Sequence, residues 1–314
     1  MIWKGKEGKR LYTVVVASLL AVMVLAGCAQ SAPASPGSGS KLKVVATTTL
    51  VGDVVEAIGG DAIELAVLLP VGADPHAFEP TPQDMARVAD AAVVFANGAG
   101  LEAFLDRLLA NAGGNAEIVR VSEGITLRDF AGEDDHAHGG KDPHVWTDPN
   151  HVMVWTRNIE DVLSRLDGAH AAHYQANAEA YRGKLGDLDT WVRTEVAQIP
   201  ESNRKLVTDH MAFGYFADRY GFEQIGAVVP GYSTVAQPSA QEIADLEDRI
   251  REYDVKAVFV GDTVNPALAR RVAEDTGIKL VFLYTGSLTA PGGDASTYLD
   301  YVRYNVSAIV GALK

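Results

Sequence analysis

Short apolar runs alternate with helical segments twice along this chain, on either side of one long polar helical stretch, and that pattern narrows the fold more than any other feature. Lys43-Val44-Val45-Ala46-Thr47-Thr48 reads as a buried strand. A helix over residues 51–58, ended by Gly59-Gly60, a strand over 62–69 and a helix over 81–90 follow it. The first series closes with a strand over 92–96, a helix over 101–110 and a strand-like segment over 117–121. The second series has strands at 205–208, 222–228, 255–260 and 279–283, with helices at 211–220, 239–253, 266–276 and 296–313. Strands this short and apolar, each followed by a helix, build βαβ units around parallel sheets. Between the two series, Tyr174, Ala178, Tyr181, Leu185, Leu188, Val192 and Val196 recur at steps of three and four, one face of a helix over 169–198. Such a helix would span about 45 Å. Gly183 and Gly186 each cost it about 1 kcal/mol relative to alanine, which leaves two shorter helices as the alternative. The chain of 314 residues is long enough for two domains of roughly 150. The expected fold is α/β: a lobe over 42–168, a connecting helix over 169–198 and a second lobe over 199–314.

The start of the chain has a different character. Lys4, Lys6, Lys9 and Arg10 precede a nearly unbroken apolar run over 11–27 that ends Leu25-Ala26-Gly27-Cys28. A basic start, an apolar middle and small residues before a cleavage point describe a secretory signal peptide over 1–27. The apolar run falls short of the ~20 residues that span a bilayer comfortably, so a spanning anchor is the weaker reading. Leu-Ala-Gly-Cys in that place resembles a bacterial lipobox, which makes Cys28 the expected lipidated first residue of the mature chain. Residues 28–41 would then form the lipidated cysteine and a flexible tether, in which residues 29–40 have a reach of about 20 Å. The folded body is expected outside the cytoplasmic membrane, lipid-anchored to it.

Charge and cysteine content exclude whole classes of function. Acidic residues outnumber basic ones by 41 to 27, for a formal net charge of −14. That balance lacks the positive footprint on which nucleic-acid affinity depends. A single cysteine allows no intramolecular disulfide and no multi-thiolate zinc site.

The histidines carry the chemistry. His151, His170 and His173 lie on or beside polar helical stretches, where a solvated surface is the default. His76, His144 and His210 instead sit in loops beyond strands, each with an aspartate one or two residues upstream (Asp74, Asp142, Asp209). In open α/β sheets ligands gather at the carboxyl ends of strands, so three such side chains can converge on a metal. Imidazole is a common zinc ligand, and a neighbouring carboxylate can fix its tautomer.

The segments around these residues resemble the receptors of bacterial ABC importers that bind zinc or manganese. Gly72-Ala73-Asp74-Pro75-His76-Ala77-Phe78-Glu79-Pro80-Thr81-Pro82 looks like the first ligand motif of that family. Asp142-Pro143-His144-Val145-Trp146-Thr147-Asp148-Pro149 resembles the second, and Thr208-Asp209-His210-Met211-Ala212-Phe213-Gly214-Tyr215-Phe216 the third. Asn97-Gly98-Ala99-Gly100-Leu101-Glu102 and the ending 298–305 match as well. The resemblance implies two α/β lobes joined by one rigid helix, with a metal between them held by His76, His144 and His210. It further implies a non-enzymatic, monomeric receptor, found in the periplasm in some bacteria, that hands its cargo to an ABC permease and its ATPase. A histidine at the third position is commoner in the zinc receptors, so Zn²⁺ is the expected cargo, with Mn²⁺ the alternative.

Two departures from the family pattern remain open. The family's usual fourth ligand, an aspartate near the C-terminus, is replaced by Gly286 in Tyr284-Thr285-Gly286-Ser287-Leu288. Asp262 is a candidate for that place, as is water; Asp262 also reads as a helix N-cap. The acidic loop over 133–140, with His136 and His138, is short for a zinc receptor; it reads as a metal collector or as a solvated loop. A zinc enzyme with an open three-histidine site is the rival from another class, although no His-Glu-x-x-His segment supplies a general base. An adhesin or metal chaperone would use the same site.

Overall fold

The structure, a computed structural model, describes residues 40–129 and 140–314. The signal segment, Cys28, nearly all of the tether and the histidines His136 and His138 lie outside the described residues. No helix among the described residues is long and apolar enough to cross a membrane.

Two parallel four-stranded sheets carry the fold. In the first, β1 (Leu42–Ala46), β2 (Ile63–Val67), β3 (Val93–Ala96) and β4 (Glu117–Arg120) lie in the order β2-β1-β3-β4. In the second, β5 (Lys205–Thr208), β6 (Glu223–Ala227), β7 (Ala257–Gly261) and β8 (Lys279–Leu283) lie in the order β6-β5-β7-β8. The two orders are the same. Each reverses direction between its two central strands, and the crevice at that reversal is where α/β sheets bind ligands.

Helices flank both sheets: α1 (Thr49–Gly59), α2 (Pro82–Asp90) and α3 (Leu105–Ala112) in the first lobe, then α4 (Pro149–Leu166) and the long α5 (Ala171–Val196). The second lobe adds α6 (Gly214–Tyr220), α7 (Ala240–Glu252), α8 (Ala267–Thr276) and α9 (Tyr298–Leu313). Side chains mark several starts. Thr81 and Ser239 each close a capping box, with Asp84 and Glu242, and Asp148 caps α4 ahead of Pro149.

The connecting helix is continuous, and all seven residues of its apolar face are buried. Gly183 and Gly186 do not break it, because burial of that face outweighs their propensity cost. Helices α1, α4 and α9 all pack on it. One hydrophobic cluster therefore runs from Val44 and Phe95 in the first lobe through α5 to Phe259 and Tyr301 in the second. Each lobe also keeps an outer core of its own, around Val94 and Leu108 in the first and around Val258 and Val272 in the second.

The expected elements are present with shifted ends. The helix expected from 101 starts at Leu105, because Leu101 and Glu102 belong to a tight loop after β3. The helix expected from 211 starts at Gly214, since the backbone of Met211 bonds to Gly231 and that of Ala212 to His210. Helix α4, which carries His151 in its first turn, lies outside the two series of elements expected from sequence, although Val152, Trp155, Ile159 and Leu163 give it a buried helical face.

Candidate metal centre

Loops at the carboxyl ends of the strands bring three imidazoles together. His76 lies in the loop after β2, His144 just ahead of the short 3-10 turn Val145–Thr147, and His210 two residues beyond β5. The Nε2 atom of His144 stands 3.2 Å from that of His76 and 3.1 Å from that of His210. All three donor atoms lie within 4.8 Å of one another, and among the described residues these three histidines form the group able to hold a metal. Ligands about 2.0–2.1 Å from a tetrahedral ion stand about 3.3–3.4 Å apart, close to the spacing of the two short pairs.

Two of the rings are held by carboxylates. The Nδ1 of His144 lies 2.8 Å from Asp142 Oδ1, which also accepts the His144 backbone N–H at 3.0 Å. Asp209 Oδ1 treats His210 the same way, at 2.8 Å from Nδ1 and 2.7 Å from the backbone nitrogen. A ring that donates its Nδ1–H to a carboxylate carries its free lone pair on Nε2, the side facing the other two. His76 differs. Asp74 accepts only its backbone N–H, at 2.9 Å, and Thr234 of the second lobe donates its hydroxyl to the same carboxylate. Asp142 and Asp209 thus orient rings, whereas Asp74 shapes a turn.

Burial sets the charge state. It drives the His144 ring well below its ordinary pKa and, together with the two neighbouring imidazoles, takes His76 down to about 2. His210 is equally buried, but the charge and hydrogen bond of Asp209 outweigh desolvation and raise it. Burial also pushes the Asp142 carboxyl up to about 7. His144 and His210 are 1% and 3% exposed, so water reaches the cluster mainly past His76.

Asp262 is not part of this cluster. Its Oδ1 accepts the Thr285 backbone N–H at 3.2 Å, and burial raises its carboxyl to about 6. Nor does it cap α8, where Asn265 Oδ1 accepts the Ala267 N–H at 3.0 Å. A side chain at Gly286 would aim at the first lobe: a Cβ there would stand 2.8 Å from Cδ of Pro75, the residue before His76. Beside it, Ser287 Oγ accepts the Gly72 N–H at 2.8 Å, and the Leu288 N–H reaches Thr49 Oγ1 at 2.9 Å.

The other described histidines stand apart. His151 is half-buried rather than solvated, its ring edge-on to Tyr215 at 4.9 Å, because α4 packs its first turn inward. His170 is exposed, and His173 lies within 3.1 Å of the Asn177 amide. Two partners that organise the site lie outside the sequence-based expectation: Trp146 Nε1 donates to Thr285 O at 3.0 Å, and Tyr298 OH donates to Trp146 O at 2.7 Å, both across the lobes. The indole lies beside His144 in sequence, which was the available signal.

The chain is similar to known proteins along most of its length. The family described as zinc-uptake complex component A, periplasmic (ZnuA), matches residues 44–312. The manganese-binding lipoprotein MntA of Halalkalibacterium halodurans is 34% identical over 296 residues, covering 94% of this chain and 96% of the relative. The manganese ABC transporter substrate-binding lipoprotein PsaA of Streptococcus mitis is 32% identical over 312 residues, covering 97% and 99%. Among solved structures, the periplasmic zinc-binding protein TroA of Treponema pallidum superposes with a TM-score of 0.80 at 27% identity, covering 87% of this chain and 99% of that one. The Mn-bound periplasmic metal-binding protein of Candidatus Liberibacter asiaticus gives 0.78 at 26%, covering 87% and 100%.

Proposed function

Because the chain belongs to the periplasmic zinc-uptake component A family, whose members are metal-binding receptors of ABC importers rather than enzymes, we propose that it captures one divalent transition-metal ion on His76, His144 and His210 and delivers it to an ABC permease driven by its ATPase. The observation that carries this reading is the convergence of three Nε2 atoms from loops far apart in sequence. Capture requires only coordination by neutral imidazoles, and burial keeps His76 and His144 neutral well into the acid range. The lipoprotein names of the relatives support anchoring through Cys28 outside the cytoplasmic membrane.

On the identity of the cargo, the relatives' names favour manganese and withdraw support from the zinc preference expected from sequence. Zinc stays as a second reading on one specific observation: the clustered donors are three imidazoles with no carboxylate among them, a set that suits zinc better than manganese. The test is metal content after purification without added metal, then loading with Mn²⁺ or Zn²⁺ alone. One equivalent of Mn²⁺ that survives dialysis supports manganese. One equivalent of Zn²⁺ with no retained Mn²⁺ supports zinc, and retention of neither ends the receptor reading.

A further inference from the structure

The segment Asn97-Gly98-Ala99-Gly100-Leu101-Glu102 touches none of the three donor atoms, yet it places a carboxylate in the interior of the first lobe. Glu102 is buried, and both its oxygens are occupied. Oε1 accepts the Thr47 hydroxyl at 2.7 Å and the Asn97 N–H at 2.7 Å, and Oε2 accepts the Gly98 N–H at 3.0 Å. Thr47 directly follows β1 and Asn97 directly follows β3, so one side chain ties the ends of the two central strands across the crevice. Asn97 is fully buried. Its amide nitrogen donates to Gly98 O at 2.9 Å and to Pro143 O at 3.0 Å. Only the nitrogen end of the amide can satisfy two carbonyls, which fixes its orientation. Pro143 is the residue before His144.

The second lobe contains the counterpart. Asp209 Oδ2 accepts the Gly261 N–H at 2.6 Å, tying the end of β5 to the end of β7, while Oδ1 orients His210. In both sheets a buried carboxylate spans the central strand ends. In the second lobe it grips the histidine itself; in the first it acts at one remove.

We propose that Glu102 is a positioning residue for the metal centre, setting the place of His144 through Asn97 and the Pro143 carbonyl. This rests on the reading of His144 as a ligand. A glutamine at 102 would offer one oxygen and one amino group to three donors, so at least one donor would face another. An aspartate at 97 would aim a carboxylate at two carbonyl oxygens. Each change moves the Pro143–His144 peptide without touching a donor nitrogen.

The probe is Co²⁺ alone, whose visible absorption reports coordination geometry, followed by Zn²⁺ titration. Wild type should bind one Co²⁺; if it does not, the metal reading fails and the positioning role falls with it. Given wild-type binding, Glu102→Gln and Asn97→Asp should each raise the dissociation constant at least tenfold and change the Co²⁺ spectrum, the scale usual for residues that orient a ligand. Val94→Ala, in the outer core of the same lobe, controls for stability: it should lower the melting temperature with an unchanged spectrum. If Glu102→Gln does not fold, Asn97→Asp decides, since it leaves the three bonds to Glu102 in place. Wild-type affinity and spectrum in a folded Asn97→Asp variant would overturn the proposal.

Discussion

The two lobes share a strand order but supply the proposed metal centre differently. The second lobe gives one histidine, His210, two residues past a central strand, with Asp209 bonded to its ring, its backbone and the neighbouring strand at once. The first lobe gives two histidines, both from long loops that follow edge strands. His144 needs Asp142 for its ring and Asn97 for the peptide before it, whereas the His76 ring has no carboxylate of its own. A ligand close to the sheet inherits the rigidity of the sheet; a ligand on a long loop must be fastened piece by piece. On this comparison His210 and His144 are preformed, and His76, the most exposed of the three, completes the site.

The largest effect should follow from removing the histidine that stands between the other two. With its Nε2 within 3.2 Å of both partners, His144→Ala is expected to lower affinity by at least about 100-fold, beyond the 10–100-fold usual for changes behind a ligand. Calorimetric titration of all three alanine variants ranks the positions, and His76→Ala should cost least. An equal or greater loss at His76 would break the distinction between preformed and completing ligands. Asp142→Asn and Asp209→Asn come next, at about 10–100-fold each, because each releases one ring from its tautomer.

Backbone close to the strand ends provides a matched pair. A Cβ on Gly261 would collide with Thr285 Oγ1 and stand 2.9 Å from Asp209 Oδ2. Gly98, at φ +81°, would place a Cβ 2.8 Å from Ser122 Oγ and 2.9 Å from Arg120 Cβ. Overpacking of this kind costs about 1–3 kcal/mol, and the backbone conformation at Gly98 adds to it. Both alanine variants should melt earlier in thermal scans. Gly261→Ala should also weaken metal binding, because the displaced carboxylate is the one bonded to His210.

Much of this was legible in sequence, for physical reasons that differ between elements. Val93–Ala96 and Ala257–Gly261 are buried on both faces, so a continuous apolar run sufficed to mark them as strands. The face of α5 is legible residue by residue, because a long helix repeats its period many times. The three histidines stood out through the aspartates beside them. Interlobe contacts were not legible: the bonds from Trp146 to Thr285 and from Ser287 to Gly72 join residues more than a hundred positions apart. The helices α3 and α6 start later than periodicity predicts, because loop hydrogen bonds hold Leu101–Glu102 and Met211–Ala212 out of the helix.

Acid should separate the lobes further. A neutral imidazole is needed for coordination, so a proton competes with the metal wherever the ring is charged. His76 and His144 have their pKa values lowered and stay neutral as pH falls through 6.5; His210 has its value raised and takes a proton first. Affinity should therefore fall as pH drops from 8 to 5, by about tenfold per unit for the proton His210 takes. The fall steepens toward about a hundredfold per unit where Asp142, whose carboxyl burial pushes up to about 7, takes a second proton and loosens the His144 ring. Three independent histidines of ordinary pKa would give a steeper fall below about pH 6.5. Dissociation constants measured across that range distinguish the cases, and a slope near three would show that burial does not control the first-lobe pair.

The smallest effect is expected where neither lobe is touched. Gly183 sits on the exposed side of α5, and a Cβ there would meet nothing within 4 Å. Replacing it with alanine removes the entropic cost of a mid-helix glycine, so Gly183→Ala should stabilise the fold by about 1 kcal/mol and raise the melting temperature by no more than about 4 °C. Metal affinity should not move, because the donor geometry depends on strand ends and loop bonds rather than on the backbone freedom of the connecting helix. Off-rates sharpen the point. If release of the ion requires α5 to bend at its glycines, Gly183→Ala will slow dissociation measured by stopped-flow chelation. If the His76 loop alone opens, the rate will match wild type, which is the outcome expected from a helix held by packing against α1, α4 and α9.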